Sequence, residues 1–317
     1  MAVARRAADA AITALAPIVW GSTYAVTTEL LPADRPLLAA TVRALPAGIV
    51  LLLITRRLPP TAMWWLRAAV LGILNIGVFF YLLFVAAYEL PGGVAALVGS
   101  VQPLFVLIIS AWFLGATMRG RQLWACLIAV GGIAMLVLRS GAGITPVGVA
   151  AAVLGALSMA LGVVLTKRWG RPPGVGIFAF TAWQLTAGGL AILPLTLALE
   201  GLPSSLEPRN LLGFAYLSIV GAMLAYAVWF RGIDRLTPLA VSFLGFFSPL
   251  TATLLGTLLL GQGFTPVQIL GAALVLASVL MVQLSPAKGD ALSDAMITDQ
   301  VSVADGSTQQ KPDRTAI

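Results

Sequence analysis

Long segments without Asp, Glu, Lys or Arg are the feature of this sequence that most constrains its fold. A helix needs about 20 mostly apolar residues to cross the hydrocarbon core of a bilayer, which is roughly 30 Å thick. The uncharged segments cover 10–28, 68–88, 90–118, 122–138, 140–166, 172–199, 210–230 and 236–287. Charged residues make up only 10% of the chain and hydrophobic residues 59%, too few charges to cover the surface of a soluble protein. The sequence therefore predicts an all-α, polytopic membrane protein.

The uncharged segments divide into ten predicted transmembrane helices. Segment 236–287 is long enough for two of them, and the natural break is the sequence Gly-Gln-Gly at 261–263. Residues 36–55 form a further span that is interrupted by a single charge, Arg43. The predicted helices cover 10–28, 36–55, 68–88, 93–114, 121–138, 146–166, 175–198, 210–230, 237–260 and 265–284.

The distribution of basic residues predicts the orientation of these helices. Short cytoplasmic loops carry an excess of Lys and Arg. If residues 1–9 are cytoplasmic, the outer loops contain only Arg35, Arg139 and Arg209. The inner segments then contain Arg5, Arg6, Arg56, Arg57, Arg67, Arg119, Arg121, Lys167, Arg168, Arg171, Arg231 and Arg235. We therefore expect a multi-pass protein of the inner (plasma) membrane with both termini in the cytoplasm, and we attribute the net charge of +7 to topology rather than to nucleic-acid binding.

The last part of the chain differs in composition from the rest. Residues 285–317 are rich in Ser, Thr, Gln and Asp and poor in large apolar residues. Such a segment cannot bury enough apolar surface to offset the entropy lost on ordering. The sequence predicts a disordered cytoplasmic tail over 285–317.

The two halves of the chain resemble each other at a nearly constant offset. Pro103 and Gln122 match Pro249 and Gln268, each 146 residues later. We predict two five-helix repeats, 10–138 and 145–284. Because five is odd, the second repeat would cross the membrane in the opposite direction to the first. Inverted repeats of this kind are typical of secondary transporters, which bind substrate near the midplane between the two halves.

Several short motifs resemble those of the drug/metabolite transporter superfamily, specifically the ten-helix exporters built from two EamA repeats. The motifs are Pro-Ile-Val-Trp-Gly-Ser-Thr-Tyr at 17–24, Arg43, Gly-Ser-Val-Gln-Pro-Leu at 99–104, Gly-Phe-Phe-Ser-Pro-Leu at 245–250, and Leu-Gly at 114–115 and 260–261. The family usually has Glu after this Leu-Gly, whereas this chain has Ala116 and Gln262. The resemblance implies export of small metabolites, such as amino acids, related amphipathic compounds and drugs, through a central cavity by alternating access.

Proline and glycine occur at equivalent positions of the fourth and ninth predicted helices. Pro103 and Pro249 each lack a backbone donor and clash with the carbonyl four residues earlier, that of Gly99 or Gly245. Interrupted spans at corresponding positions of two repeats point to a transport site. The alternative is a kink that only shapes helix packing.

Arg43 is the one charge deep within a predicted span, about 11 Å along the helix from Pro36. Charged residues at such depth usually face the interior of a bundle or a water-filled cavity. One interpretation is that Arg43 binds a carboxylate or phosphate of the substrate. The other, which the sequence favours slightly, is a structural role in which Arg43 snorkels outward or pairs with Glu29 or Glu89.

Other polar and aromatic residues within the spans are candidates for the lining of a cavity that binds an amphipathic compound. These candidates are Trp20, Ser22, Tyr24, Asn75, Phe79, Ser100, Gln102, Gln184, Tyr226, Ser242, Phe246 and Ser248. Each has a structural alternative, since Ser bonds to its own helix and Trp anchors helices at the membrane interface.

The sequence argues against an enzyme. The chain has no histidine, a single cysteine, Cys126, and no Asp or Glu within a predicted span. It therefore lacks the residues for a disulfide, for a zinc site of His or paired Cys, or for a His-dependent nucleophile, and we expect neither cofactor nor metal. The expected partners are a small-molecule substrate and the lipid bilayer, with a homodimer left open. A passive channel is the alternative function, and an integral-membrane enzyme is less favoured.

Overall fold

The computed structural model of this protein describes residues 2–90, 92–116, 119–137, 145–203, 205–260 and 265–283. Within these ranges the regular elements are helices, without a strand, which confirms the predicted all-α fold. The predicted break at 261–263, the outer-loop residues 140–144 and the tail 285–317 lie outside the described residues.

The helical stretches follow the ten predicted spans, and we number them in the same order. The first to fifth helices are Ala2–Gly21 with Thr23–Leu30, Pro36–Thr55, Ala62–Gly72 with Ile73–Val78 and Phe79–Glu89, Gly92–Gly99 with Gln102–Leu114, and Gly120–Val137. The sixth to tenth are Pro146–Trp169, Ile177–Leu195 with Thr196–Glu200, Pro208–Ser218 with Ile219–Leu224 and Ala225–Arg235, Pro238–Leu244 with Phe247–Leu260, and Pro266–Gln283.

Six of these helices are long and apolar enough to cross a membrane, which confirms a polytopic membrane protein. They are Ala4–Leu30, Pro36–Thr55, Ala62–Glu89, Pro146–Trp169, Ile177–Glu200 and Pro208–Arg235. The other four predicted spans correspond to shorter apolar helices, Gln102–Leu114, Gly120–Met135, Pro238–Ala252 and Pro266–Val282. The count of ten transmembrane helices stays a prediction.

Several helices extend beyond the uncharged segments used to predict them. The first helix begins at Ala2 rather than at residue 10, and the third begins at Ala62 rather than at 68. A charged residue limits how deep a segment sits in the bilayer, but it does not end a helix. The third helix begins where the Thr61 hydroxyl accepts a hydrogen bond from the Trp64 amide, so capping sets this boundary.

The third and eighth helices each contain a π-helical segment that the sequence analysis did not predict. These segments are Ile73–Val78 and Ile219–Leu224, and their boundaries differ by 146 residues, the offset that relates the two halves. A π turn shifts the backbone hydrogen bonds and changes the direction of carbonyl groups, and such turns are frequent at functional sites. The two segments share only their first residue, Ile73 and Ile219, so the structure repeats a feature that is hardly visible in the amino-acid identities.

The fourth and ninth helices are interrupted rather than kinked. The fourth breaks at residues 100–101 and the ninth at 245–246. Pro103 and Pro249 therefore lie in the first turn of the second segment in each helix. Backbone amides in a first turn have no acceptor within the helix, so a proline there costs no helical hydrogen bond. The prolines are accommodated because the helix ends just before them.

Helix packing follows a two-fold pattern. The second helix packs against the seventh and the fifth against the tenth, while the third packs on the sixth as the eighth packs on the first. Glycines allow the closest approaches, and a Cβ atom on Gly188 would lie 2.5 Å from the carbonyl oxygen of Gly72. The second and seventh helices are equivalent in the two halves, and so are the fifth and tenth. The contact between the third and sixth helices corresponds to that between the eighth and first when the two halves are exchanged. The opposite orientation of the halves in the membrane stays a prediction.

Candidate functional site

A cavity of about 120 Å³ lies between the two halves. A buried water needs roughly 10–15 Å³ of such space, so the cavity could hold on the order of ten waters or a small organic molecule. Its walls come from the first, second, third and fourth helices of one half and from the sixth, eighth and ninth of the other. The lining consists of Trp20, Thr23, Tyr24, Arg43, Phe79, Leu83, Ala86, Ala95, Ala96, Gly99, Ser100, Gln102, Pro103, Ala151, Ala152, Gly155, Ala156, Met159, Trp229, Ser242, Gly245, Phe246, Ser248 and Pro249.

The interruptions of the fourth and ninth helices both face this cavity. Gly99, Ser100, Gln102 and Pro103 line it, and so does each residue 146 positions later, namely Gly245, Phe246, Ser248 and Pro249. The predicted pair of interrupted spans is therefore part of one cavity. Where a helix is interrupted, its backbone polar groups become available to side chains, water or ligand.

Small residues of the sixth helix make room for the cavity. Ala151, Ala152, Gly155, Ala156 and Met159 recur with helical spacing, so they lie on one face of that helix. Large side chains on this face would fill the space between the halves. The sixth helix thus provides space for the cavity but no polar side chain in its described lining.

The first and eighth helices contribute an aromatic wall to the cavity. The ring centroid of Trp20 lies 4.8 Å from that of Tyr226 and 5.0 Å from that of Trp229. Phe80 packs edge-on against Tyr226 with centroids 5.5 Å apart. Trp20 and Trp229 reach the cavity, whereas Tyr226 and Phe80 are buried behind them.

Arg43 is buried, with only 1% of its surface exposed, and it lines the cavity. Its Nη2 donates a 3.0 Å hydrogen bond to the carbonyl oxygen of Gly221, and its guanidinium carbon lies 4.4 Å from the Phe80 ring centroid. In the part of the chain that the structure describes, Arg43 forms no ion pair, and both Glu29 and Glu89 are exposed. Among the described residues, Arg43 therefore neither snorkels outward nor pairs with Glu29 or Glu89. Whether it binds substrate or has a structural role stays a prediction.

The two π turns place equivalent carbonyl groups next to the aromatic wall. The Gly221 carbonyl, in the eighth helix, also accepts a 2.8 Å hydrogen bond from Trp20 Nε1. Asn75, 146 residues earlier in the third helix, accepts a 3.3 Å hydrogen bond at its carbonyl from the Tyr226 hydroxyl. Each π turn thus receives a side chain from the other half of the chain, which links the two halves beside the cavity.

Four of the sequence candidates lie outside the cavity lining. Ser22 is within hydrogen-bond distance of the Tyr216 hydroxyl, at 2.7 Å. The side-chain amide of Asn75 donates to Gln184 at 2.8 Å and to Thr166 at 3.1 Å, which joins three helices. Together with Tyr226, these residues connect helices to one another. Hydropathy cannot separate such residues from cavity residues, because both are polar groups within an apolar span.

The profile of the EamA-like transporter family matches residues 10–138 and 146–284. The chain belongs to the EamA-like transporter family. This match confirms the resemblance seen in the sequence motifs, and it covers both halves of the chain.

Curated relatives agree with this assignment. The protein PecM of Dickeya dadantii is 50% identical over 84% of this chain and 90% of its own length. YedA of Escherichia coli K12, an uncharacterized inner membrane transporter, is 32% identical over 84% of this chain and 88% of its own. A probable amino-acid metabolite efflux pump of Salmonella typhimurium is 25% identical over 86% of this chain and 93% of its own. This EamA-like chain is thus a membrane transporter, and its relatives indicate a transporter rather than an enzyme.

A solved structure has the same fold. A crystal structure with 21% sequence identity superposes with a TM-score of 0.71 and covers 88% of this chain and 97% of its own. At this identity the likeness concerns the fold alone.

Part of the cavity lining of this EamA-like chain was not predicted from its sequence. Trp229 was not among the candidates, nor were the small residues of the sixth helix. Leu83, which lines the cavity 146 residues before Trp229, was not a candidate either, so the repeat relates two lining residues of which neither had been identified. The small residues gave no signal in the sequence, since Ala and Gly also occur wherever membrane helices pack closely.

Proposed function

We propose that this EamA-like protein is a secondary transporter that exports small metabolites, such as amino acids, related amphipathic compounds or drugs, by alternating access. The observation that carries the proposal is the cavity between the two halves, lined by the interruptions of both the fourth and the ninth helix. A site shared by two related halves suits a carrier, because rocking of one half against the other opens the site to each side in turn. The efflux-pump relative supports export as the direction.

In this proposal the substrate lies within the cavity. Nine of the sequence candidates line it and are the proposed substrate contacts: Trp20, Tyr24, Arg43, Phe79, Ser100, Gln102, Ser242, Phe246 and Ser248. Gly99, Pro103, Gly245 and Pro249 are the proposed hinges at the helix interruptions. Ser22, Asn75, Gln184 and Tyr226 hold neighbouring helices in position.

The proposed topology assigns a side of the membrane to the cavity. Ala86, Ala95 and Ala152 lie close to the predicted outer loops, at the end of the third helix and near the starts of the fourth and sixth. With cytoplasmic termini, the cavity therefore extends from the midplane towards the outside. The inner-membrane location named for the YedA relative supports the same location for this protein. The placement of residues 1–9 and 285–317 in the cytoplasm rests on the excess of Lys and Arg in the predicted inner segments.

Ion pairs join the helix ends on the proposed cytoplasmic side. Asp9 of the first helix pairs with Arg231 at 2.6 Å and with Arg235 at 3.1 Å, both in the eighth helix. Arg171, just after the sixth helix, pairs with Asp234 at 3.1 Å. Partly exposed pairs contribute only about 0–1 kcal/mol each. Ion pairs of this strength are weak enough to break and re-form in every transport cycle.

Exchange of radiolabelled amino acids and amphipathic drugs in proteoliposomes tests the proposed function. We expect the wild-type protein to exchange labelled against unlabelled substrate. Ala152→Trp, which fills the cavity, should abolish the exchange. Leu154→Trp is the matched control, because Leu154 is on the same helix but 52% exposed at the outer surface of the bundle.

Three outcomes would contradict the proposal. A labelled compound that is chemically converted without crossing the bilayer would indicate an enzyme. Single-molecule currents in planar bilayers would indicate a channel. Equal exchange by Ala152→Trp and Leu154→Trp would show that substrate does not pass through this cavity.

A further inference from the structure

The cavity has a surplus of hydrogen-bond donors. Among the described residues, the buried lining groups without a hydrogen-bond partner are Arg43 Nε and Nη1, Gln102 Nε2 and Trp229 Nε1. Guanidinium and indole groups can only donate hydrogen bonds. The unpartnered groups of the lining therefore call for acceptor atoms.

Arg43 also leaves a positive charge uncompensated beside the cavity. The faces of Phe80 and Phe84, at 4.4 Å and 5.9 Å, and the Gly221 carbonyl each offer partial negative charge. Among the described residues, the side chains that line the cavity include no Asp or Glu. A buried cation without an anionic partner is costly unless a counter-charge reaches it.

Arg43 and Trp229 are both neighbours of Trp20. Arg43 and Trp20 donate to the same carbonyl, that of Gly221, at 3.0 Å and 2.8 Å. The Trp229 ring lies 5.0 Å from the Trp20 ring. One end of the cavity wall thus combines a guanidinium and an indole N–H with aromatic surfaces.

We infer that the cavity binds a small organic anion, a carboxylate attached to an aromatic body. The carboxylate oxygens accept hydrogen bonds from Arg43 and Trp229, and the apolar body packs against Trp20, Phe79 and Phe246. An ammonium group finds no carboxylate in the lining, so the order of preference is anion over zwitterion over cation. This inference rests on the proposed function, in which the cavity is the substrate site.

A series of ligands with the same ring tests the charge preference. Binding of phenylacetate, phenylacetamide, phenylalanine and phenethylamine to the protein in nanodiscs is measured by isothermal titration calorimetry. Phenylacetamide matches phenylacetate in shape without its charge. We expect phenylacetate to bind on the order of 10- to 100-fold more tightly than phenylacetamide, because hydrogen bonds to charged groups are the stronger ones. Phenethylamine should bind most weakly.

Variants then identify the groups responsible. Arg43→Gln should bring the phenylacetate-to-phenylacetamide ratio close to one without weakening phenylacetamide binding. Trp229→Phe keeps an aromatic ring but removes the indole N–H donor. It should lower the phenylacetate-to-phenylacetamide ratio several-fold. Arg67→Gln is the matched control, since Arg67 also lies over an aromatic ring, at 4.9 Å from that of Trp64, but it does not line the cavity.

The outcomes separate this inference from the proposed function. Equal binding of phenylacetate and phenethylamine by the wild type, or an unchanged ratio in Arg43→Gln, would overturn the inference. Should Arg43→Gln fail to fold, Arg43→Lys and Trp229→Phe decide it, with the ratio expected to persist in the first and to fall in the second. Selective phenylacetate binding without any exchange in proteoliposomes would refute transport and leave the anion site standing.

Discussion

Single glycines determine how closely the helices of this bundle approach. In the fifth helix, a Cβ atom on Gly132 would lie 2.8 Å from the carbonyl oxygen of Gly271 and 3.0 Å from Cβ of Leu274, in the tenth helix. Its neighbour Gly131 faces outward and would meet nothing within 4 Å. Two adjacent residues of the same type therefore have different roles, because only one faces the partner helix.

We expect Gly132→Ala to lower the free energy of unfolding by about 1–3 kcal/mol, the usual cost of overpacking a tight contact. Gly131→Ala is the matched control and should not lower stability, because Ala has the higher helix propensity and its Cβ meets nothing within 4 Å among the described residues. Thermal unfolding of the purified proteins in detergent measures both. Equal midpoints for the two variants would show that the fifth and tenth helices are not held at the distance seen here.

Contacts between the halves also stabilise individual helices at their ends. The two carboxylate oxygens of Glu200, at the end of the seventh helix, accept hydrogen bonds from the backbone amides of Leu37 and Leu38, at 2.7 Å and 2.8 Å. These amides are at the start of the second helix and have no acceptor within it. Negative charge at this end also interacts favourably with the helix dipole. The second helix is thus capped by a residue 163 positions away from Leu37.

Glu200→Gln should reduce the free energy of unfolding by about 1 kcal/mol, because it removes the charge and one of the two acceptors. Glu29→Gln serves as the control, since Glu29 is an exposed residue at the end of the first helix. The comparison is made by thermal unfolding at neutral pH. A larger loss in Glu29→Gln than in Glu200→Gln would contradict the capping role.

The whole molecule combines two related halves that meet around one cavity. The π turns of the third and eighth helices and the interruptions of the fourth and ninth all lie beside this cavity. The ion pairs of Asp9 and Asp234 join helix ends at the proposed cytoplasmic side. If the halves rock against each other during transport, the pairs of Asp9 with Arg231 and Arg235 must break, because they join the first helix to the eighth. Arg171 and Asp234 both belong to the second half.

Asp9→Asn should shift the conformational equilibrium towards an inward-open state by roughly 2- to 10-fold, as expected for the loss of two weak pairs. The measure is maleimide labelling of a cysteine at Thr13, which is fully buried, in a Cys126→Ser background without other cysteines. Labelling from the cytoplasmic side should become faster. Glu207→Gln, which breaks the exposed pair with Arg209 near the opposite helix end, should leave labelling unchanged.

The sequence was sufficient to locate the helices and the interruptions within them. Runs without charge are local signals, which depend on residues close together in the chain. The excess of inner basic residues and the match of Pro103 with Pro249 compare distant parts of the chain, but neither requires knowledge of which residues are in contact. The short motifs, in their order along the chain, were also enough to indicate the family. The structure places nine of the thirteen residues predicted to bind substrate in the lining of one cavity.

The tertiary structure alone decided which polar side chains face that cavity. The rotation of each helix about its axis is fixed by packing against its neighbours, so Gln102 reaches the cavity while Gln184 bonds to Asn75. The same packing removed every carboxylate from the vicinity of Arg43 in the described residues, although Glu29 and Glu89 were plausible partners in the sequence. Hydropathy records whether a residue is compatible with a span, whereas contacts between distant helices determine its neighbours.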